Sequence, residues 1–142
     1  MMKKIYFDNK FARFILPKKI ACITLFGITF FKERKEFIKN NMINHEKIHA
    51  EQQKECLFLG FIFGVISLVM MNSICISLMI FLFFFYIWYG TEYLILLINN
   101  KFKKKNINNK ISFEAEALEN ESDNDYLRNE RQLFSWINYI GC

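Results

Sequence analysis

The sequence is poor in proline and glycine, and its cysteines lie far apart. One proline and five glycines among 142 residues exclude a collagen-like chain and a disordered chain of the Pro/Gly-rich type. The four cysteines form no C-x-x-C pair; they are Cys22, Cys56, Cys75 and Cys142. We therefore expect neither a disulfide framework nor a cysteine-based zinc site. Polar residues at positions 8–13 interrupt the first apolar residues, so no cleavable signal peptide is expected.

Charge is nearly absent from the middle of the chain. Glu92 is the one formally charged side chain within residues 56–98, although 23% of the whole sequence is charged. A membrane-spanning helix needs about 20 predominantly apolar residues. The apolar block divides near Asn72 into residues 57–71 and 74–90, each at the short end of the spanning range. We expect two spans joined by a tight hairpin, and the alternative is a single span beside a partly buried helix.

Basic residues flank this apolar block on both sides. Residues 1–55 carry 12 basic and 6 acidic side chains, residues 99–111 carry five lysines and no acid, and residues 112–142 are acidic. Basic residues collect in the cytoplasmic loops beside membrane helices. We therefore expect a membrane protein with both termini in the cytoplasm and the lipid bilayer as its partner. In this interpretation the lysines set the orientation of the helices in the membrane. They do not form a phosphate-binding patch, and no nucleic acid is expected as a partner.

The polar segments on either side of the apolar block differ in their expected secondary structure. Residues 20–31 are rich in β-branched and aromatic side chains but too short to cross a bilayer as a helix, which predicts a strand or a hairpin turning near Gly27. Apolar residues recur at helical spacing from about Asn41 onward. A last helix is expected from Ser112, with Ser112 as its N-cap.

These elements predict a mainly α fold. It is a helical membrane protein with a transmembrane helical hairpin, an N-terminal β-strand or hairpin and a C-terminal helical segment. We interpret residues 1–142 as a single domain. Its parts are a basic N-terminal segment with one or more strands (1–40), an active-site helix (41–55), two membrane helices (56–98), a basic linker (99–110) and an acidic C-terminal helical segment (111–142).

One short motif carries recognisable chemistry. Residues 45–49 read His-Glu-Lys-Ile-His and contain both histidines of the chain. On a helix, His45 and His49 are one turn apart on one face, so both imidazoles can reach one Zn²⁺ ion, and Glu46 can face a water at the metal as general base. The same pattern also fits an amphipathic helix that enters a membrane, on which the two histidines belong only to a solvent-exposed polar face.

Two histidines do not complete a catalytic zinc site, which normally has three protein ligands plus water. An ionisable residue near a membrane helix is a functional suspect, so Glu92 is one candidate, although it fits a supporting or helix-pairing role better. The other candidates belong to the acidic cluster Glu114, Glu116, Glu119 and Glu121. The residues alone leave the third ligand open among Glu114, Glu116 and Glu92.

The order of these motifs resembles the gluzincin-like membrane peptidases of the CAAX prenyl protease and HtpX type. In that group the His-Glu-x-x-His helix is followed, after an apolar stretch, by a Glu, an Ala three residues later and then an Asp. Here residues 113–117 read Phe-Glu-Ala-Glu-Ala. The resemblance implies that the C-terminal helical segment completes a small zincin-like site, in which a zinc ion is bound by His45, His49 and Glu114 and Glu46 is the general base. It also implies that a strand before the active helix binds the substrate backbone.

This sequence departs from the family pattern at Leu118, which stands where the family has its Asp. An acceptor for a ligand histidine is then missing, and Glu121 or Glu92 would have to serve instead. The phrases I-N-H-E-x-I-H-x-x-Q-Q, W-Y-x-x-E-Y-L and I-S-F-E-x-E-A also resemble small uncharacterised bacterial membrane proteins of zincin-like sequence. That resemblance implies the bacterial inner (plasma) membrane as the location, and it implies no particular substrate.

The C-terminal tail offers further polar groups. Arg128 or Arg131 can stabilise an oxyanion or hold a substrate carboxylate, and Tyr126 can do the former. The alternative is ion pairing with the acidic residues of the tail.

Two functions follow as hypotheses. The first is a membrane-bound zinc-dependent metallopeptidase that hydrolyses peptide bonds near the membrane surface, with a peptide or membrane protein of unknown identity as substrate. The second is a non-catalytic metal-binding scaffold or a degenerate zincin-like protein in the membrane. The intact Glu46 favours the first hypothesis, and the missing Asp favours the second.

Overall fold

The computed structural model of the protein describes residues 4–18, 20–99 and 107–141. Most of this chain is helical, and a small three-stranded sheet precedes the long helices. Two helices are long and apolar enough to cross a membrane. The predicted class of fold is therefore confirmed in its mainly helical content, its two candidate membrane helices and its N-terminal strands. Most of the predicted basic linker, at positions 100–106, lies outside the described residues.

The sheet lies in the N-terminal segment. Its strands are β1 (Ile5–Tyr6), β2 (Cys22–Leu25) and β3 (Ile28–Phe31), in the order β1-β3-β2. β2 and β3 form the predicted antiparallel hairpin, and β1 joins β3 in parallel. Phe26 and Gly27 both have positive φ (50° and 75°), as in the type I′ turns of tight hairpins. The strand order leaves β2 at one edge of the sheet.

A short helix that the sequence pattern does not predict, α1 (Lys10–Ile15), lies between β1 and the hairpin. Its N-cap is Asn9, whose side-chain oxygen accepts hydrogen bonds from the backbone N–H groups of Phe11 and Ala12. This is the usual contact of an N-cap asparagine. Fewer than two helical turns are too short to show the apolar periodicity by which helices are recognised.

Helices α2 (Asn40–Met71) and α3 (Ile74–Asn99) form a hairpin. α2 begins within one residue of the expected start and continues without a break from the His-Glu-x-x-His segment into the apolar block. It ends at Asn72, whose left-handed conformation (φ 49°) commonly terminates helices. α3 ends one residue after the predicted boundary of the membrane helices at residue 98, and it includes Glu92.

The two long helices approach each other closely at glycine positions. A Cβ atom at Gly60 would lie 2.6 Å from the carbonyl oxygen of Phe81, and one at Gly64 would lie 3.0 Å from that of Ser77. Any larger side chain at Gly60 would therefore push the helix backbones apart. Around this contact the hairpin exposes large apolar side chains such as Val69, which is 80% exposed. Extended apolar surface of this kind is typical of membrane contact.

The C-terminal segment packs against α2 through α4 (Ser112–Asn120). The sequence predicts Ser112 as the N-cap of α4, but Ser112 is the first residue of the helix. Ile111 occupies the cap position without a side-chain hydrogen bond. The carboxylate of Glu92 on α3 accepts hydrogen bonds from the Ser112 backbone N–H (2.9 Å) and hydroxyl (2.7 Å). An anion at a helix N-terminus satisfies free N–H groups and the helix dipole, so Glu92 caps α4 from another helix.

Short helical turns complete the described chain. They are 3₁₀ turns at Lys35–Phe37, Asn108–Lys110 and Ser135–Tyr139 and a π-helical turn at Tyr126–Glu130. Trp136 is buried, and its ring centroid lies 4.7 Å from that of Phe113 on α4 and 5.4 Å from that of Trp88 on α3. Cys56 of α2 belongs to the same core cluster. This core fixes α4 beside the His-Glu-x-x-His segment of α2.

Candidate metal centre

Three side chains from two helices converge at one point. The Nε2 atoms of His45 and His49, on successive turns of α2, are 3.0 Å apart. The Oε2 atom of Glu114, on α4, lies 3.5 Å from each of these nitrogens. His45, His49 and Glu114 thus form a group of possible metal ligands whose atoms all lie within 4.8 Å of one another.

The spacing of these atoms fits a tetrahedral metal ion. With zinc bonds of about 2.0 to 2.1 Å, two ligand atoms of a tetrahedral site lie about 3.3 Å apart. The observed separations of 3.0 and 3.5 Å fall on either side of that value. The three atoms can therefore bind one ion with little movement of either helix.

The second nitrogen of each imidazole has its own hydrogen-bond partner. His45 Nδ1 lies 3.0 Å from Glu121 Oε2, and His49 Nδ1 lies 2.7 Å from the side-chain oxygen of Gln52. Metal-binding histidines usually donate their other ring N–H to a carboxylate or carbonyl oxygen in this way. The sequence left Glu121 and Glu92 as candidates for the acceptor of a ligand histidine, and Glu121 is the one that contacts His45.

The orientation of the Gln52 amide follows from its other contacts. Its nitrogen donates hydrogen bonds to the backbone oxygen of Phe113 (3.0 Å) and to Glu116 Oε2 (2.8 Å). Because both of these partners are acceptors, the amide oxygen faces His49, and His49 Nδ1 carries a hydrogen. The Nε2 atom of the neutral ring then offers a lone pair toward Glu114. The same reasoning applies to His45, whose Nδ1 faces a carboxylate.

Two lone pairs and a carboxylate at this distance require a positive species between them. Burial lowers the pKa of His49, but its hydrogen bond to Glu114, the charge of Glu114 and the nearby Glu46 outweigh that effect and raise the pKa to about 8. Burial would raise the pKa of Glu114, but hydrogen bonds to His45 and His49 and their charge hold it well below its usual range. The metal-free cluster therefore holds a proton at neutral pH in the place of a cation.

Glu46 lies in the same cleft and is oriented by the hairpin. The Thr24 hydroxyl donates to Glu46 Oε2 at 2.6 Å, and the Cys22 thiol donates to Oε1 at 3.1 Å. Burial and the charge of Glu46 raise the pKa of Cys22 well above its usual range, so the thiol keeps its hydrogen. Two side chains of β2 thus position the Glu46 carboxylate next to the histidines.

The cleft has a volume of about 450 Å³. It is lined by β2 and the residues before it, by α3, and by Glu46 together with the possible ligands. Tyr89 of α3 donates a hydrogen bond to Glu114 Oε1 at 3.2 Å, so the oxygen of Glu114 that does not face the histidines also has a partner.

The other two carboxylates considered as third ligand are used elsewhere. Both oxygens of Glu92 accept hydrogen bonds from Ser112. Glu116 is fully buried and accepts hydrogen bonds from Gln52, from the Tyr126 hydroxyl (3.0 Å) and from Arg131 Nε (2.6 Å). Of the three candidates, Glu114 is the one that lies at the imidazoles.

The residues predicted to stabilise an oxyanion lie apart from the cleft. Tyr126 and Arg131 contact Glu116, and Arg131 also forms two hydrogen bonds with Glu55, at 2.5 and 2.9 Å. Arg128 is exposed and lines a different surface groove. The oxyanion role of these three residues stays a prediction, and these contacts do not support it.

Sequence reasoning missed several supporting residues. Gln52 lies three residues after His49, so the two side chains share one helix face, and this spacing is visible in the sequence. Thr24 and Tyr89 reach the site from separate elements, and no local sequence pattern predicts their contacts there.

Comparisons with known proteins identify no relative. No family model matches the sequence, and no curated protein or solved structure matches it significantly. The functional argument therefore depends on the geometry of the site.

Proposed function

We propose that the protein is a membrane-bound zinc-dependent metallopeptidase that hydrolyses peptide bonds near the membrane surface. The observation that supports this most is the meeting of His45, His49 and Glu114 beside Glu46 in one cleft. Histidine and carboxylate ligands suit zinc. A bound zinc ion would polarise the scissile carbonyl group and lower the pKa of water.

Glu46 is the proposed general base. It accepts a proton from the attacking water as the water oxygen bonds to the peptide carbonyl carbon, and it delivers that proton to the leaving amine as the C–N bond breaks. An ionised carboxylate has about four acceptor positions, and Thr24 and Cys22 occupy two of them. Free acceptor positions therefore remain for water.

The edge strand β2 is the proposed binding site for the substrate backbone. Cys22, Ile23 and Thr24 line the cleft, and an extended peptide can pair with backbone N–H and C=O groups at the edge of a sheet; at this edge the Thr24 carbonyl is already occupied by Gln53, so pairing would use the other groups of the strand. This role agrees with the one that the resemblance to gluzincin-like peptidases implies for a strand before the active helix. Gln53 of α2 donates to the Thr24 carbonyl at 2.7 Å and accepts from the Gly27 N–H at 2.8 Å, which fixes the hairpin against the helix.

The site lies close to the proposed membrane surface. His49 precedes Leu57 by eight residues, or about 12 Å along a helix at 1.5 Å per residue. The cleft is also lined by Phe85, Tyr86 and Tyr89 of the second candidate span. We infer that substrates are membrane-proximal segments of peptides or membrane proteins. The bacterial inner membrane and cytoplasmic termini remain part of this proposal.

A non-catalytic metal-binding scaffold is the second candidate. It is favoured by the contacts of Glu46, because both of its oxygens already accept hydrogen bonds from β2. In a scaffold these bonds would attach the hairpin to α2, and the metal would attach α2 to α4.

Metal analysis tests the feature that both candidates share. Protein purified in detergent should contain about one zinc ion per chain, because two imidazoles and a carboxylate satisfy three zinc positions. His45→Ala should lose the metal. The control Asn41→Ala, an exposed position one turn earlier on α2, should retain it. Metal-free wild-type protein that does not take up added zinc would contradict both functions.

A further inference from the structure

The tip of the β-hairpin lies against the second candidate span. The ring centroid of Phe26 is 6.2 Å from that of Tyr86 and 6.4 Å from that of Phe83, and both of these rings belong to α3. Phe26 also lines a small cavity together with Leu57, where the apolar block of α2 begins. The tip is therefore level with the start of the apolar block, and β2 extends from it toward Glu46.

Phe26 is an unusual residue for its position in the turn. Its φ of 50° lies in the left-handed region, where a bulky side chain is uncommon and where two-residue hairpins prefer Asn, Asp or Gly. Phe26 is also 46% exposed, so burial within the protein does not explain the choice. Contact with lipid does explain it, because apolar side chains on the surface of a membrane protein bury themselves at the boundary between headgroups and acyl chains.

The open edge of β2 connects this tip with the metal centre. In an antiparallel pair, successive residues direct their backbone groups alternately toward the partner strand and away from it. The Ala21 oxygen accepts from the Lys32 N–H at 3.0 Å, so Ala21 faces the partner strand, and Cys22 and Thr24 face the open edge. Because Gln53 binds the Thr24 carbonyl, a substrate backbone would pair with the Thr24 N–H and with both groups of Cys22.

We propose that Phe26 inserts into the bilayer surface, so that β2 takes up a substrate chain where it leaves the membrane and the site cuts that chain within about five residues of its apolar segment. The proposal rests on the proposed peptidase function. Phe26 follows Thr24 by two residues and Cys22 by four, or about 7 and 14 Å in a strand. A substrate paired along β2 is equally extended, so a similar number of residues separates its membrane segment from Glu46.

The lining of the cleft suits the chain that flanks a membrane segment. Apolar side chains line it both next to β2 and on α3, namely Ile20, Ile23 and Phe85. The acidic side chains Glu46 and Glu114 lie in the cleft, and none of the described residues that line it is a lysine or an arginine. Apolar substrate residues should therefore bind better than acidic ones.

Photocrosslinking tests the position of Phe26 without substrate or metal. The photoreactive residue p-benzoyl-phenylalanine is placed at position 26, 37 or 83 of the full-length protein, which is reconstituted into liposomes and irradiated. Phe37 is the matched control, because it is 73% exposed but precedes α2, on which Asn40 and Leu57 lie about 25 Å apart at 1.5 Å per residue. Mass spectrometry should detect lipid adducts at positions 26 and 83 and none at 37.

Other patterns of adducts would contradict the proposal. Absence of lipid adducts at position 26, or adducts equally abundant at position 37, would overturn the insertion of the tip. Absence of adducts at position 83 as well would show in addition that α3 is not a membrane helix.

Anchored peptides test the distance between membrane and cut. Each peptide carries an apolar anchor of about 20 residues, at either end, and a flank that repeats the sequence Ser-Leu-Gln, so equivalent positions differ only in their distance from the membrane. The wild type should cut within about five residues of the anchor, and a flank of twice the length should be cut at the same place. Cuts spread along the flank, or set by the distance from its free end, would overturn the proposal. Failure to cut any peptide would refute the peptidase function itself, and the lipid adducts would still decide the position of Phe26.

Phe26→Asn tests whether the ring matters for cleavage. Asparagine adopts the left-handed conformation readily, so the turn should keep its structure while the apolar ring is lost. Removal of one such side chain from lipid corresponds to about a tenfold change in an equilibrium. We therefore expect cleavage of the anchored peptides to fall by about tenfold with zinc content unchanged, and the control Phe37→Asn to cleave them as the wild type does. Wild-type cleavage by Phe26→Asn would overturn the proposal.

Discussion

Glu46→Gln separates a peptidase from a metal scaffold. Glutamine has nearly the same shape as glutamate and is also a good helix former, so α2 should keep its structure. The amide oxygen can still accept from the Thr24 hydroxyl, whereas the amide nitrogen cannot accept from the Cys22 thiol. The substitution therefore removes one hydrogen bond of the site and the group that accepts a proton from water.

The two losses differ in size. Loss of one hydrogen bond lowers the free energy of unfolding by about 1 kcal/mol. Loss of general-base catalysis lowers the rate by a factor of about 10² to 10⁴, which corresponds to about 3 to 5 kcal/mol in the activation barrier. The hydrogen bonds of Glu46 go to Thr24 and Cys22, so we expect zinc content to stay near one ion per chain.

The assay needs a substrate near a membrane. Purified protein is reconstituted into liposomes with synthetic peptides that carry an apolar anchor and a polar flank, and new termini are detected by mass spectrometry. We expect cleavage by the wild type, strongly reduced cleavage with retained zinc in Glu46→Gln, and loss of both in His45→Ala. Wild-type cleavage by Glu46→Gln under conditions where His45→Ala is inactive would refute the general-base argument.

Three further predictions address the metal, the helix hairpin and the topology. Because the pKa of His49 is about 8 in the metal-free protein, zinc must displace a proton below that pH; apparent zinc affinity should rise about tenfold per pH unit up to about pH 8 and then level off, in competition titrations. Gly60→Ala should lower the free energy of unfolding by about 1 to 3 kcal/mol, because the alanine Cβ would lie 2.6 Å from the Phe81 oxygen. The control Gly90→Ala, with open space around it, should leave the free energy of unfolding unchanged. In a background without native cysteines, a cysteine at position 72 should react with an impermeant thiol reagent on intact cells, and one at position 105 should not. Labelling at position 105 and protection at position 72 would show the opposite topology.

The sequence predicts the elements of this fold better than their contacts. Two apolar runs separated at Asn72, and β-branched residues around Gly27, are local signals, and they predict the helix hairpin and the β-hairpin. The spacing of His45 and His49 is equally local. The role of Glu92 is not, because its cap on α4 depends on how two helices distant in sequence pack together. The buried state of Glu116 likewise depends on residues that come from several elements.

The departure from the family pattern at Leu118 can be understood from the direction of α4. Asn44 donates to the backbone oxygens of Asn120, Glu121 and Asp123, while Gln52 donates to that of Phe113, so α4 lies antiparallel to α2.

As a result, His45, the earlier histidine, lies beside the C-terminal end of α4, where Glu121 reaches its Nδ1. His49, one turn later, lies deeper and takes its acceptor from Gln52 on its own helix. Each imidazole thus has an oxygen partner although position 118 holds a leucine. The missing Asp therefore gives little support to a degenerate site, and the choice between peptidase and scaffold depends on whether Glu46 transfers a proton.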